Sequence, residues 1–122
     1  MPTTYVLWFD ARSAASRRAL ELLRERGVEP ELRRFLEEPP TIAELEDLLA
    51  RLGLAPHAIA RPSEDEYQAL RLSERSSRDE LLAAFAAHPR ILDGPFLVAG
   101  RRALVVRHPE RVFEVLPPAP AA

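Results

Sequence analysis

An unbroken apolar run, Tyr5-Val6-Leu7-Trp8-Phe9, opens the patterned part of this chain and predicts a buried strand. Beyond Asp10-Ala11-Arg12-Ser13 the spacing becomes helical. Ala15, Ala19, Leu20, Leu22 and Leu23 recur at three- and four-residue intervals, which predicts an amphipathic helix over about Ala14 to Arg26. Gly27 stops that helix, and Val28 is placed to fold back on its last turn. Glu31-Leu32-Arg33-Arg34-Phe35-Leu36 reads as a second strand, parallel to the first because a helix joins them.

In the middle of the chain only the helical period persists. Thr41 with Glu44 forms a capping-box pattern ahead of an apolar stripe, Ile42, Leu45, Leu48, Leu49 and Leu52, that ends at Gly53. Ser63 with Glu66 and Ser77 with Glu80 repeat the start signal. Tyr67 and Leu70 are expected to face inward from the first of those helices, and Leu81, Leu82 and Phe85 from the second. These caps mark a compact helical insert at about 41–88, closed by His88-Pro89. Strands then return as Phe96–Ala99 and Ala103–Val106 around Gly100-Arg101-Arg102, a hairpin signal. Pro109 starts a last helix whose core face is Val112, Phe113 and Leu116, and Pro117-Pro118-Ala119-Pro120 is expected to fray. The order β-α-β, helical insert, β-β-α predicts a single α/β domain over 1–122 with a mixed sheet.

At 122 residues the chain can bury a core without disulfides or metal. Its formal net charge of -2 argues against nucleic-acid binding driven by overall charge. The absence of cysteine removes thiol catalysis, disulfides and thiolate metal sites. His57, His88 and His108 lack metal-ligand spacing and are expected to be caps or surface groups. No Gly-rich phosphate loop, basic-then-apolar leader or membrane-length apolar run is visible, so no resident cofactor is expected and the cytoplasm is the expected location. The turn from Asp10 to Arg17 is the chemically suggestive segment. A strand feeding a helix N-terminus favours an anion, and the same field stabilises a thiolate. Here Ser13 stands at that mouth, where its simplest role is the helix N-cap.

Several phrases stand in a set order along the chain: the strand-to-helix turn ending Ser16-Arg17, Gly27-Val28-Glu29-Pro30, and Leu36-Glu37-Glu38-Pro39-Pro40-Thr41. They continue with Ala58-Ile59-Ala60-Arg61, His88-Pro89 before Gly94-Pro95, and Arg107-His108-Pro109-Glu110. Together, from Val6 to Leu116, they resemble the arsenate reductase (ArsC) family, whose superfamily includes the Spx transcriptional regulators. The resemblance implies a thioredoxin-like fold with a mixed four-stranded sheet. In that family a first-turn cysteine attacks arsenate, three arginines hold the oxyanion, and glutathione with glutaredoxin supplies electrons.

Carried over by position, the resemblance places the cysteine at Ser13, the first arginine at Arg61 and the third at Arg107. The second arginine position is Gly94, and a family asparagine is Asp10. Pro95 matches a proline that thioredoxin-like folds keep cis, so a cis Gly94–Pro95 bond is expected. A hydroxyl cannot pass electrons through sulfur–sulfur exchange, Asp10 opposes an anion, and Gly94 removes a guanidinium fork. Three departures in one matched site imply a member that has lost thiol redox catalysis and acts as a binding or regulatory module. Arg12, Arg17, Arg61 and Arg107 are then candidates to hold a small oxyanion such as arsenate, sulfate or phosphate. Two alternatives compete. In one, Ser13 is an engineered replacement in a glutaredoxin-dependent arsenate reductase. In the other, an Spx-like protein docks on the RNA polymerase α subunit, with Ser13 and Ser16 at the positions of the Spx Cys-x-x-Cys pair. Neither direct nucleic-acid binding nor a membrane role is expected.

Overall fold

The computed structural model describes residues 3–117. Its contacts divide the chain into a sheet unit, Met1–Arg33 with Gly94–Ala122, and a helical unit, Arg34–Asp93. The sheet unit runs β1 (Tyr5–Trp8), α1 (Ala14–Glu25), β2 (Glu31–Arg33), β3 (Phe96–Ala99) and β4 (Arg102–Val105), then a 3-10 helix over Pro109–Glu114. The strand order is β2-β1-β3-β4, with β1 parallel to β2 and the remaining pairs antiparallel. This is the mixed four-stranded sheet that the pattern predicts.

Alternation along the strands sorts the two faces. Leu7 and Phe9, Leu97, and Leu104 and Val106 share one face and pack with Ala19, Leu20, Leu22 and Leu23 of α1 and with Val112 and Leu116. The helix therefore exists chiefly to cover that face, and each fully buried leucine there contributes roughly 1.5–3 kcal/mol of transfer free energy. On the alternate positions, Trp8 and Phe96 meet edge to face with centroids 6.0 Å apart. The Arg33 guanidinium lies 5.7 Å from the Trp8 ring centroid. A one-residue slip in register would exchange these two sets of side chains.

The ends of the elements follow local chemistry. At Gly27 the backbone turns left-handed (φ 77), Gly27 N–H donates to the Arg24 carbonyl and Val28 N–H to the Leu23 carbonyl, both at 2.9 Å. That is a Schellman ending, with Val28 packed on the core. The β3–β4 turn is Gly100-Arg101, one residue shorter than the sequence suggests, so β4 begins at Arg102 and Val106 lies just past it. Gly100 takes φ 60 there, a value only glycine adopts cheaply. On β4, the Arg111 Nη1 donates to the Val105 carbonyl at 3.0 Å, while its Nε reaches the Glu114 carboxylate at 2.8 Å.

Two further expectations for this unit are corrected. The second strand stops at Arg33 instead of running to Leu36, because Glu37 and Glu38 N–H groups both donate to the Arg34 carbonyl and turn the chain. Phe113 is not core: it is 39% exposed, and the Arg26 guanidinium sits 4.5 Å from its ring centroid. The physical reason is the 3-10 geometry, which eclipses residues three apart: Val112 stays inward as expected, while Phe113, the next residue, turns out.

The helical unit contains α2 (Ile42–Leu52), α3 (Asp65–Ala69) and α4 (Arg78–Ala87), with 3-10 turns at Pro56–Ile59 and Pro89–Ile91. Leu45, Leu48 and Leu49 of α2 and Leu81, Leu82 and Phe85 of α4 are buried. The capping box on α2 is complete: Glu44 N–H donates to Thr41 Oγ1 at 3.1 Å, and Thr41 N–H to Glu44 Oε1 at 3.0 Å. Ser77 caps α4, its Oγ accepting from Glu80 N–H at 3.1 Å.

Three details in this unit also differ from expectation. Ser63 does not cap; α3 starts beyond Glu64, which makes no side-chain cap. The helix ends after five residues with Arg71 at φ 56, leaving Leu70 exposed at 43%. Ile42 is 47% exposed: it is the first helical residue, at the N-terminal end of the stripe, and burial begins one turn later at Leu45. Among the described residues, no helix is long and apolar enough to cross a membrane.

Candidate functional site

The loop from β1 to α1 is held by its own polar groups. Ser13 N–H donates to the Asp10 carbonyl at 2.9 Å, closing a turn that brings Ser13 to the helix mouth. Ser13 is half-buried with extended backbone, and its Oγ accepts from Ser16 N–H at 3.2 Å: it is the N-cap of α1. Ser16 is fully buried, and its own Oγ accepts from Asp10 N–H at 3.2 Å. The two serines thus tie strand, loop and first helical turn together. Sequence reasoning placed Ser13 correctly but gave Ser16 no structural part, although a small polar residue on the buried face of a helix was the available signal.

Asp10 has a partner of opposite sign. Its Oδ1 accepts from Arg12 N–H at 3.0 Å and from Arg12 Nε at 3.3 Å. Arg17 is exposed and donates from Nη1 to the Ala11 carbonyl at 2.7 Å. Both arginines therefore belong to the loop and its first turn, and each already spends donors on it. Among the described residues no histidine is hydrogen-bonded to Ser13, whose Oγ accepts from Ser16 N–H.

The sheet brings more of the predicted positions to the same end of the unit. Trp8 pairs with Phe96 in antiparallel register, so Pro95, the residue before β3, lies beside the residues that leave β1 for the loop. The Gly94–Pro95 peptide bond is cis. The Pro95 carbonyl accepts from Val106 N–H at 2.9 Å, and Arg107, the next residue, is exposed. Ser13, Asp10, Gly94, Pro95 and Arg107 therefore follow or precede strand ends at the same end of the sheet unit.

Arg61 lies in the helical unit. Its Nε and Nη2 donate to Asp93 Oδ1 at 3.2 and 3.0 Å. Asp93 carried no local signal, being 32 residues distant in the chain. Of the histidines, His88 meets Glu66 Oε2 through Nδ1 at 2.6 Å, and His108 precedes the last 3-10 helix without a side-chain cap. No group of three or more His, Cys, Asp or Glu side chains suited to a metal occurs among the described residues.

Comparison with known proteins gives a consistent result. No protein-family model matches the chain. It is 38% identical over 112 residues to an arsenate reductase of Neisseria meningitidis, covering 90% of this chain and 96% of that protein. It is likewise 38% identical to the uncharacterized protein YfgD of Escherichia coli, over 90% of this chain and 94% of that one. Among solved structures, an arsenate reductase from Vibrio cholerae superposes with a TM-score of 0.90 at 34% identity, covering 95% of this chain and all 100% of the other.

Proposed function

Because the chain belongs to the arsenate reductase (ArsC) family of the thioredoxin-like fold, we propose that it is a member without thiol redox chemistry that works by binding. One observation supports this reading: the chain has no cysteine, and Ser13, which the family resemblance matches to the nucleophile, uses its oxygen to cap α1. Reduction of arsenate needs an atom that bonds arsenic and then leaves as part of a disulfide, so that the electron pair stays on arsenic. Oxygen in Ser13 forms no such bond with an incoming thiol. The ligand class is a small tetrahedral oxyanion, held by arginine donors and by the free N–H groups at the start of α1. The Asp10–Arg12 pair and the glycine at position 94 both weaken that hold relative to a catalytic site.

The decisive experiment is arsenate reduction by the native protein with glutathione and glutaredoxin. Background rate is expected; turnover above background removes the proposal. The near-complete match to relatives named arsenate reductase favours one other reading. In it the gene encodes cysteine at codon 13, and Ser13 marks the nucleophile of a working enzyme. Reading that codon separates the two.

A further inference from the structure

Arg61 and Asp93 are diagonal neighbours across a short backbone bridge in the helical unit. Ala60 and Leu92 pair as an isolated antiparallel bridge, and both are buried. Arg61 N–H donates to the Ile91 carbonyl at 2.7 Å, and Asp93 N–H to the Ile59 carbonyl at 2.8 Å. Ile59 and Ile91 are fully buried, so the backbone under both charged residues is fixed. The ion pair is not an accident of two flexible side chains.

Its geometry is specific. One carboxylate oxygen, Asp93 Oδ1, receives both the Nε and Nη2 hydrogen bonds of Arg61. That occupies one edge of the planar guanidinium. The opposite edge, Nη1 with the second Nη2 hydrogen, keeps its donors, since a guanidinium carries five N–H groups. The Arg61 side chain is 38% exposed and that of Asp93 21%, so solvent screens the pair only in part.

We propose that Asp93 is a positioning and specificity residue: it orients Arg61 and, by its charge, biases that guanidinium against dianions in favour of monoanions. The inference rests on the reading of Arg61 as an anion-holding residue. Repulsion from Asp93 scales with ligand charge, so a dianion on the far edge is penalised twice as much as a monoanion of the same shape. Sulfate and perchlorate make that comparison, being tetrahedral and differing in charge.

The test is Asp93→Asn in the full chain, with sulfate and perchlorate binding measured by calorimetry at low, constant ionic strength. Asparagine keeps an oxygen to accept from Arg61 while removing the charge. Sulfate affinity should rise roughly fourfold and perchlorate affinity roughly twofold, shifting the ratio between them. A merely structural contact would not move that ratio. Asp93→Ser makes the same charge change should asparagine fail to fold. Weaker sulfate binding in Arg61→Gln, with an unchanged ratio in the Asp93 variants, would overturn the role of Asp93 alone. Arg61→Gln indistinguishable from the native protein would remove the anion-holding reading, and this inference with it.

Discussion

Replacing Ser13 by alanine tests the claim that its oxygen serves architecture and not chemistry. The bond at stake is the 3.2 Å contact from Ser16 N–H to Ser13 Oγ at a half-buried position. Loss of a serine N-cap costs about 1 kcal/mol, within a range of roughly 0.5–2. The upper half of that range is expected here. The orphaned Ser16 N–H belongs to a fully buried residue that also anchors Asp10 N–H, so loop and helix loosen together. With a urea slope of about 2 kcal/mol/M, typical for a chain of this size, the unfolding midpoint should fall by about 0.5–1 M. Helical circular dichroism in urea reads this directly. Ser13→Asn should retain most of the stability, because asparagine caps as well as serine and adds no charge beside Asp10. An unchanged midpoint in Ser13→Ala, or an equal loss in Ser13→Asn, would refute the assignment.

Other consequences can be checked independently. Ser13→Cys should leave arsenate reduction with glutathione and glutaredoxin near background, because Gly94 supplies no guanidinium; full rescue by that change would contradict the weight given to position 94. Thr41→Ala breaks one of the two reciprocal bonds of the α2 capping box and should cost about 1 kcal/mol in urea unfolding. The Glu114 carboxyl is held below its ordinary range, first by hydrogen bonding to Arg111 and then by the charges of Arg111 and Arg102. Because the folded value is lowered, the pair's contribution is present at neutral pH and fades as pH falls through that lowered value. An NMR titration should show this, and Arg111→Gln should move Glu114 back toward the ordinary glutamate value; a shift the other way would be inconsistent with the pair.

What could be read from the sequence was what local physics decides. The sheet residues alternate, α1 carries helical spacing up to Gly27, and Thr41 with Glu44 forms the box seen on α2. Where the outcome depended on a neighbour, the reading slipped. Ser63 offers the same pattern as Thr41, yet α3 is too short to reward it, and Leu70 follows the chain out to solvent. Phe113 looked apolar enough for the core, but a 3-10 turn rotates it onto Arg26. The candidate site divided in the same way. The cap at Ser13 and the cis Gly94–Pro95 bond were expected from the sequence and are present, whereas the carboxylates facing Arg12 and Arg61 differ in kind. Asp10 lies two residues from its partner, while Asp93 reaches Arg61 only through the fold.

A sheet that does not close on itself ends in a strand whose outward backbone groups invite another chain to add alongside. At β4 one such group, the Val105 carbonyl, is already taken by Arg111, whose charge is balanced by Glu114 from the same 3-10 turn. A bulky charged side chain laid across the border blocks intermolecular zippering as a gatekeeper does. The 3-10 turn over Pro109–Glu114 therefore guards the sheet's border as well as covering α1.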